Sequence, residues 1–409
     1  MTQLNLFNET APQDLYHSNV MGGSTCERRM ECPGSAALEA AAPPEKPSRF
    51  AEEGSFLHLV MEHILQHDRK PEEMIGFTDN GYTLTRELVD EMILPALKCF
   101  DELHAEFGEF EYYTEIQVAY LGTDAFGTAD VIGCNDKYSF IIDWKFGRGV
   151  RVIGSDDNKQ LLFLAGAARE TPETEDMFSP DRQIVLAIVQ PAFAKTSGGL
   201  THGVIGSNTL SNFVGDVHTT IKKINANCTD LNTGRHCRWC RAKDTCPAQL
   251  EDAEKLLAVD PQDPSIGPSD LGFLVGKAAD MEVWIKSIMC RARGELEAGK
   301  PVDGYKLVAK RSTRNWISET RAEQQLRGAK FKVSDIMETK LLSPAKAEKL
   351  IKSKGSTCDL DGLIVSKSAG TTMVGIDDSR PAVSTRDGSN LGLPHSETET
   401  ETETETKRN

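Results

Sequence analysis

The residues FGTADVIGCNDKYSFIIDWKFG, numbered 126–147, carry the pattern on which the fold prediction rests. Two runs rich in β-branched and aromatic residues, 126–133 and 138–146, flank the turn residues 135–137. Such runs joined by a short turn are typical of a β-hairpin. The sequence therefore predicts two neighbouring antiparallel strands in this stretch.

Side-chain alternation along this hairpin gathers charged groups on one face. Residues two positions apart in a strand share a face, so Asp143 and Lys145 point together, while Trp144 and Phe146 enter a core. Asp130 can lie beside Asp143 across the hairpin. Two close carboxylates repel unless a divalent cation lies between them, and a nearby lysine can orient or deprotonate a water. Metal-assisted phosphodiester hydrolysis requires groups of this kind. The D-x-K pattern alone would also fit a surface ion pair.

The flanking sequence predicts the other elements of the same domain. Apolar spacing and β-rich runs indicate, in chain order, helices at 55–67 and 85–107, a strand at 113–121, a helix at 158–170, a strand at 183–189 and a helix at 209–225. Pro95 is expected to kink or divide the second of these helices. The order helix, three-strand meander, helix, strand predicts a mixed α/β fold.

This order of elements, with an Asp on the second strand and D-x-K on the third, resembles the PD-(D/E)XK nuclease core, and most closely its RecB-like branch. Residues 54–58, GSFLH, match the G-x-x-x-H motif of that branch, and Gln160 matches the Gln of its Q-h-x-x-Y motif, with Leu164 in place of Tyr. The resemblance implies a Mg²⁺ or Mn²⁺ site formed by His58, Asp130, Asp143 and the backbone carbonyl of Trp144. It also implies that Lys145 assists the attacking water and that Gln160 belongs to the catalytic set.

Three cysteines within ten residues, in the spacing Cys237-x2-Cys240-x5-Cys246, indicate a metal-binding segment. Basic neighbours are expected to lower the pKa values of these thiols and to favour thiolate ligands. A fourth ligand must come from elsewhere. Cys32 is the first candidate, Cys26 is the second, and His236, which would suit zinc, is the third.

One cysteine before the core and C-x2-C-x5-C after it resemble the arrangement in AddB-type helicase-nucleases and in four-cysteine CRISPR-associated nucleases. The resemblance implies a [4Fe–4S] cluster held by Cys32, Cys237, Cys240 and Cys246. Such a cluster would fasten the two ends of the domain together across a long loop, whose closure is otherwise entropically costly. A structural Zn²⁺ in the same place is the alternative.

The chain has 409 residues, of which 39% are hydrophobic and 26% charged. This composition predicts a soluble globular protein of two or three domains. There is no basic leader and no apolar run near the ~20 residues that span a bilayer, so we expect a cytoplasmic location and no membrane contact. The expected domains are a flexible arm at 1–23, a nuclease domain at 24–259, a smaller α+β accessory domain at 260–382 that begins with the Pro-rich linker 260–269, and a disordered acidic tail at 383–409.

The net charge of −16 argues against a protein that coats nucleic acid non-specifically. Any contact with DNA must therefore be local. Arg238 and Arg241 beside the cysteines, and Lys310 and Arg314 within GYKLVAKRSTRNW, are the candidates for contact with the DNA backbone. An ordinary solvated surface is the alternative for the second pair.

The segments CPGSAALEA, GTADVIG, DWKFGRGVRV, GYKLVAKRSTRNW and LLSPAKAEK together resemble a phage and prophage family described as RecB-like. The resemblance implies a metal-dependent DNA nuclease, an exonuclease in phage recombination or DNA processing. It would act in the host cytoplasm with a single-strand-annealing protein as its partner. The alternative is a catalytically inactive DNA-binding or assembly module that keeps a nuclease fold and a structural metal site.

Overall fold

The structure is a computed structural model that describes residues 18–44, 48–147, 151–152, 154, 156–194, 198–259, 267–310, 313–337, 341–360, 362–367, 371–375 and 380–383. It is a mixed α/β protein of two compact units, residues 1–285 and 286–409. The arm predicted at 1–23 lies mostly outside the described residues. The tail predicted at 383–409 lies outside them except for its first residue.

A five-stranded mixed sheet forms the centre of the first unit. The strands of this unit are β1 (Thr78–Asp79), β2 (Tyr82–Thr83), β3 (Glu111–Ala119), β4 (Phe126–Cys134), β5 (Tyr138–Trp144), β6 (Gln183–Val189) and β7 (Leu200–Ile205). The order in the sheet is β3-β4-β5-β6-β7, with β5 and β6 parallel and the other neighbours antiparallel. The predicted meander and the predicted strand at 183–189 are confirmed. The sequence did not predict β7, because its residues LTHGVI include Gly and show no regular alternation.

The helices of the first unit surround this sheet. They are α1 (Cys26–Glu31), α2 (Ser35–Ala41), α3 (Arg49–His67), α4 (Arg86–Leu88), α5 (Leu94–Phe107), α6 (Lys159–Glu170), α7 (Ser207–Asn225) and α8 (Pro247–Leu257). A π-helical turn, Val89–Ile93, joins α4 to α5. Pro95 lies in the first turn of α5, where a residue without an N–H is tolerated. The predicted division of this helical region is therefore confirmed.

Apolar side chains cover both faces of the sheet. One face packs against α3 and α5 through a cluster that includes Phe140, Ile142 and Trp144. The other face packs against α6 and α7 through a cluster that includes Ile141. Strands buried on both faces are almost continuously apolar in sequence. Asp143, near the carboxyl end of β5, is an exception, since it is charged and only 3% exposed.

The division between the two units falls inside a long helix, α9 (Pro268–Glu297). The sequence placed the domain boundary in the Pro-rich segment 260–269, of which residues 260–266 lie outside the described residues. Proline is favoured in the first turn of a helix, which explains why α9 begins at Pro268.

The second unit has its own small core. Its elements after α9 are β8 (Tyr305–Ala309), β9 (Thr313–Trp316), α10 (Glu319–Gly328), α11 (Val333–Ile336), α12 (Pro344–Ser353), β10 (Ile364–Lys367) and β11 (Thr371–Gly375). Antiparallel pairs form between β8 and β11 and between β9 and β10. A cluster that includes Leu326, Ile336 and Ile351 lies under the helices. This unit is therefore an α+β fold, as the sequence predicted for the accessory region.

Candidate functional site

The candidate site lies where β4 and β5 separate. Regular pairing between these strands stops at Val131 and Ile142. Beyond that pair, the backbone N–H of Trp144 donates to Oδ2 of Asp130 at 2.6 Å. The carboxylate is therefore held between the two strands, and its charge acts on Asp143, as the sequence predicted.

Helix α3 and strand β3 each add a ligand atom beside Asp130. The imidazole Nδ1 of His58 lies 3.3 Å from Oδ1 of Asp130 and 3.7 Å from Oε1 of Glu115. Among the described residues, these three form the group of His, Cys, Asp and Glu side chains whose ligand atoms all lie within 4.8 Å of one another. The structure therefore brings the predicted His58 and Asp130 together and adds Glu115, which the sequence did not predict.

Glu115 reaches this place through an unusual backbone conformation. Its φ is +51°, in the left-handed region that costs a non-glycine residue free energy. The β3–β4 register passes from Thr114 to Ile116 without pairing Glu115. A local irregularity of this kind redirects one side chain of a strand. The surrounding sequence EYYTEIQVA gives no signal for it.

Asp143, Lys145 and Gln160 form a second group at the same strand end. The ammonium of Lys145 lies 2.8 Å from Oδ2 of Asp143 and donates to its Oδ1 at 3.1 Å. The Nε2 of Gln160 donates to the same Oδ1 at 2.6 Å, and its Oε1 accepts from Lys145 at 3.2 Å. Among the described residues, Oδ2 of Asp143 has this ion pair with Lys145 but no well-aligned hydrogen bond. The shared face predicted for Asp143 and Lys145 is confirmed.

The electrostatics of the two groups follow from crowded carboxylates in a partly buried place. Burial would lower the pKa of His58, but Asp130 and Glu115 outweigh it and raise this pKa to about 10. Burial also raises the pKa of Asp143, against the opposing charge of Lys145. Burial would lower the pKa of Lys145, but Asp143 outweighs it and raises that pKa. His58 and Lys145 are therefore both cationic at neutral pH, and a cation bound at the Nδ1 of His58 would have to displace its proton.

The left-handed backbone at Glu115 gives a prediction about stability. Glycine adopts this conformation freely, whereas alanine does not. Both substitutions remove the side chain, so we expect E115G to have a free energy of unfolding about 1 kcal/mol higher than E115A in urea denaturation. At Glu111, on the same strand and without a positive φ, the order should reverse, with E111G about 0.5–1 kcal/mol below E111A. Equal stability of E115G and E115A would contradict strain at this residue.

The predicted metal-binding cysteines line one cavity in the first unit. Cys32, Cys237, Cys240 and Cys246 all contribute to its wall, together with His236. Cys26 lies instead in the apolar cluster beneath the sheet, where its sulfur contacts Met30 at 3.7 Å. The structure thus brings the first candidate, Cys32, to the other three cysteines and places the second candidate elsewhere.

The pKa of one of these thiols differs from the expectation. The sequence predicted that basic neighbours lower the thiol pKa values. Burial and the nearby carboxylate of Glu39 instead raise the pKa of Cys240 to about 12. The prediction is wrong for this cysteine because Cys240 is buried, so removal of its proton requires a compensating cation.

A buried carboxylate, Glu39, joins the amino-terminal helices to the cysteine segment. Its Oε2 lies 3.1 Å from the guanidinium of Arg28 and 2.8 Å from that of Arg29. Its Oε1 accepts from the backbone N–H of Arg241, and its carbonyl accepts from the Arg241 guanidinium, both at 2.8 Å. The two contacts with Arg241 attach the segment that follows Cys240 to helix α2. Glu39 has no motif around it that sequence analysis could have recognised.

The role of Glu39 can be tested by its charge. E39Q leaves two buried guanidinium groups without a counter-charge, so we expect the free energy of unfolding at pH 7 to fall by about 3 kcal/mol. E27Q is the matched control, because Glu27 forms a largely exposed pair with Arg235 and such pairs contribute less than about 1 kcal/mol.

The pH dependence of the same variant gives an internal check. Burial opposes ionisation of Glu39, but Arg28 and the N–H of Arg241 outweigh it and lower the pKa of this carboxyl below its ordinary value of 4.5. A lowered pKa in the folded state stabilises above pH 4.5 and loses this effect as the pH falls through the folded-state pKa. The difference between wild type and E39Q should therefore shrink toward pH 3. A difference that does not change with pH would contradict the ionic origin.

The four residues predicted to contact DNA lie in different settings. Arg238 is exposed and lies over the ring of Trp239, with its guanidinium carbon 5.2 Å from the ring centroid. Arg241 donates to the Glu39 carbonyl, so its guanidinium has a structural contact. In the second unit, Lys310 is half-buried after β8, and Arg314 forms an ion pair with Glu348.

The fold and the gathered side chains define a mixed α/β protein with a candidate cation site. The chain belongs to the family described as "Protein of unknown function (DUF2800)", which matches residues 17–381. Among the described residues, no helix combines the length and apolarity needed to cross a membrane.

Two solved structures show weak similarity to this chain. The first is the crystal structure of SSO0001, at 15% identity and a TM-score of 0.26, covering 57% of this chain and 88% of that one. The second is protein VC1899 from Vibrio cholerae, at 16% identity and a TM-score of 0.17, covering 53% and 57%. Similarity at these scores carries no argument about fold or function.

Proposed function

We propose that the chain is a divalent-metal-dependent DNA nuclease with a RecB-like PD-(D/E)XK core. The observation that carries the proposal is the convergence of three carboxylates, an imidazole and an ammonium group where β4 and β5 separate. The resemblance of the sequence supports DNA as the substrate and exonuclease action in phage recombination or DNA processing. The same resemblance supports a single-strand-annealing protein as the partner.

The side chains at this place fit a divalent cation. Mg²⁺ and Mn²⁺ prefer oxygen ligands, and Asp130 and Glu115 offer carboxylate oxygens within 4.8 Å of the His58 ring nitrogen. Asp143 is buried beside these groups, and the charge of Asp130 acts on it, so a cation would relieve the repulsion between the two carboxylates. His58, Asp130, Asp143 and the backbone carbonyl of Trp144 would hold the cation, with Glu115 as a further ligand.

The chain's own residues have distinct roles in this proposal. A bound cation would lower the pKa of a coordinated water and offset the charge of the phosphodiester. Because the pKa of Lys145 is raised, its ammonium stays protonated, orients the water or the phosphate, and stabilises developing negative charge. Gln160 accepts from Lys145 and donates to Asp143, so it is a positioning residue for both groups.

The proposal is tested by removing one charge from the site. D143N preserves the side-chain volume but removes a metal-binding carboxylate. We expect cleavage of labelled linear double-stranded and single-stranded DNA, with Mg²⁺ or Mn²⁺, to fall by a factor on the order of 10³. D136N, which changes an exposed turn residue of the same hairpin, should keep wild-type activity. Far-UV circular dichroism of both variants should match that of wild type.

The assay also distinguishes the second candidate function. Wild-type protein that binds DNA but cleaves neither substrate with either cation would contradict the nuclease proposal. That result would support a catalytically inactive DNA-binding or assembly module. The close contact of Lys145 with Asp143 favours activity, because burying charges of this kind is costly without a function.

We further propose that Cys32, Cys237, Cys240 and Cys246 hold a [4Fe–4S] cluster. Their placement around one cavity supports this set of ligands. Zinc with Zn–S bonds of ~2.3 Å places its sulfur ligands only about 3.8 Å apart. Within the described part of the chain, no three of these cysteines have sulfur atoms within 4.8 Å of one another. The wider spacing suits a cluster better than the alternative, a single structural Zn²⁺.

The cluster is tested by colour and metal content. Protein purified without oxygen should be brown, absorb broadly near about 400 nm and contain about four irons per chain. C240S and C32S should lose the iron and melt at a lower temperature. C26S and C228S are matched controls, since neither residue lines the cavity. Both variants should keep the iron. Colourless anaerobic protein with one zinc per chain would contradict the cluster.

A further inference from the structure

The first unit is acidic as a whole but has a short basic segment. Residues 1–285 contain 24 Lys and Arg against 44 Asp and Glu, a net charge of −20. Residues 235–243, RHCRWCRAK, instead contain four Lys and Arg and no acidic residue. The unit should repel a polyanion at long range. Any contact that it makes with a polyanion must therefore use a local basic segment of this kind.

Two of the four cations in this segment are engaged within the fold, and two are not. Arg235 forms an ion pair with Glu27, and the guanidinium of Arg241 donates to a backbone carbonyl. Among the described residues, neither Arg238 nor Lys243 forms an ion pair with a carboxylate. The positive charges of these two side chains are therefore available to a ligand.

Trp239 lies on the surface beside these charges. Its side chain is 66% exposed, and the guanidinium carbon of Arg238 lies 5.2 Å from its ring centroid. A guanidinium over an indole ring is a favourable cation–π contact that orients both side chains. We call this pair the Trp239–Arg238 platform. An exposed aromatic ring beside cations is the arrangement on which proteins stack the bases of single-stranded nucleic acid.

Backbone hydrogen bonds hold the turn under the platform. The Cys237 N–H donates to the Gly234 carbonyl at 2.9 Å, and the Cys240 N–H donates to the Cys237 carbonyl at 3.0 Å. The ammonium of Lys243 donates to the Arg238 carbonyl at 3.1 Å. A surface that is already ordered loses little conformational entropy when it binds a ligand. The exposed ring is therefore presented on a fixed support.

We propose that Trp239 stacks on an unpaired base of single-stranded DNA, while Arg238 and Lys243 contact the neighbouring phosphates. The inference rests on the proposed function for DNA as the ligand, and it adds the kind of strand that the protein selects. Every base has a π-face that can stack on an indole, but a duplex covers both faces of each internal base pair. The platform should therefore favour single strands over a duplex without ends.

The test is DNA binding by the full chain, purified without oxygen and measured by fluorescence anisotropy without divalent cations. The probes are a labelled single strand and an abasic strand of the same length, which keeps the phosphates but lacks the bases. For W239A we expect the Kd of the single strand to rise by about 5- to 100-fold and that of the abasic strand to stay unchanged. W239F, which keeps an aromatic ring, should bind within about threefold of wild type.

Two further variants separate stacking from charge and from exposure. R238Q should lower the slope of log K against log[salt] by about 0.7 in magnitude, since one phosphate contact to a single strand is lost. W239A should leave this slope unchanged, because a ring neutralises no phosphate. F273A is the matched control, since Phe273 of α9 is also an aromatic residue and is 65% exposed, and it should bind like wild type.

Wild-type affinity of W239A for the single strand, or an equal loss on the single strand and the abasic strand, would overturn the proposal. So would a wild-type protein that prefers a closed circular duplex to the single strand. A smaller mass of W239A in light scattering, with DNA binding unchanged, would overturn it in favour of contact between copies of the chain.

The same experiment separates this inference from the nuclease proposal. Binding is measured without divalent cations, so D143N should bind like wild type, and failure of the nuclease proposal shows in cleavage alone. Iron content and melting temperature equal to those of wild type verify that W239A is folded.

Discussion

Repulsion among three carboxylates that share a partly buried place is the constraint on which the rest of the structure depends. Asp130, Asp143 and Glu115 converge where β4 and β5 separate, and among the described residues the positive charges of His58 and Lys145 lie against them. The hydrogen bond from the Trp144 N–H to Asp130 holds the strands in this opened arrangement. Placing like charges together in a partly buried site costs free energy unless a cation offsets their repulsion. A divalent cation is the simplest group that would do so.

A second constraint joins residues that are far apart in sequence. Glu39 contacts Arg28 and Arg29 on one side and Arg241 on the other, and the cavity beside it is lined by Cys32 and by three cysteines about 200 residues later. Closing so long a loop has an entropic cost, which the buried ion pairs and a bound metal cluster would offset together. The same contacts fix the loop that carries the exposed Trp239 and Arg238.

Much of this fold could be predicted from the sequence, because the period of apolar residues and the turn chemistry around residues 135–137 are strong local signals. The positions of Asp130, Asp143 and Lys145 followed from strand alternation, whereas Gln160 was implied by the resemblance to the RecB-like motif. Glu115 could not be predicted, since its role depends on a positive φ that leaves no mark in EYYTEIQVA. The role of Glu39 could not be predicted either, because its partner Arg241 is distant in sequence. The raised pKa of Cys240 also required the structure, because burial outweighed the basic neighbours that the sequence shows.

The central claim is that the opened end of β4 and β5 binds a divalent cation through side chains of α3, β4 and β5. The most direct measurement is the anomalous difference density of crystals grown with Mn²⁺. The account predicts one strong peak in contact with Asp130, Asp143 and His58. It also predicts that the Lys145 ammonium lies beside the peak without touching it. Crystals with Mn²⁺ bound elsewhere on the protein but with no peak among these residues would contradict the account.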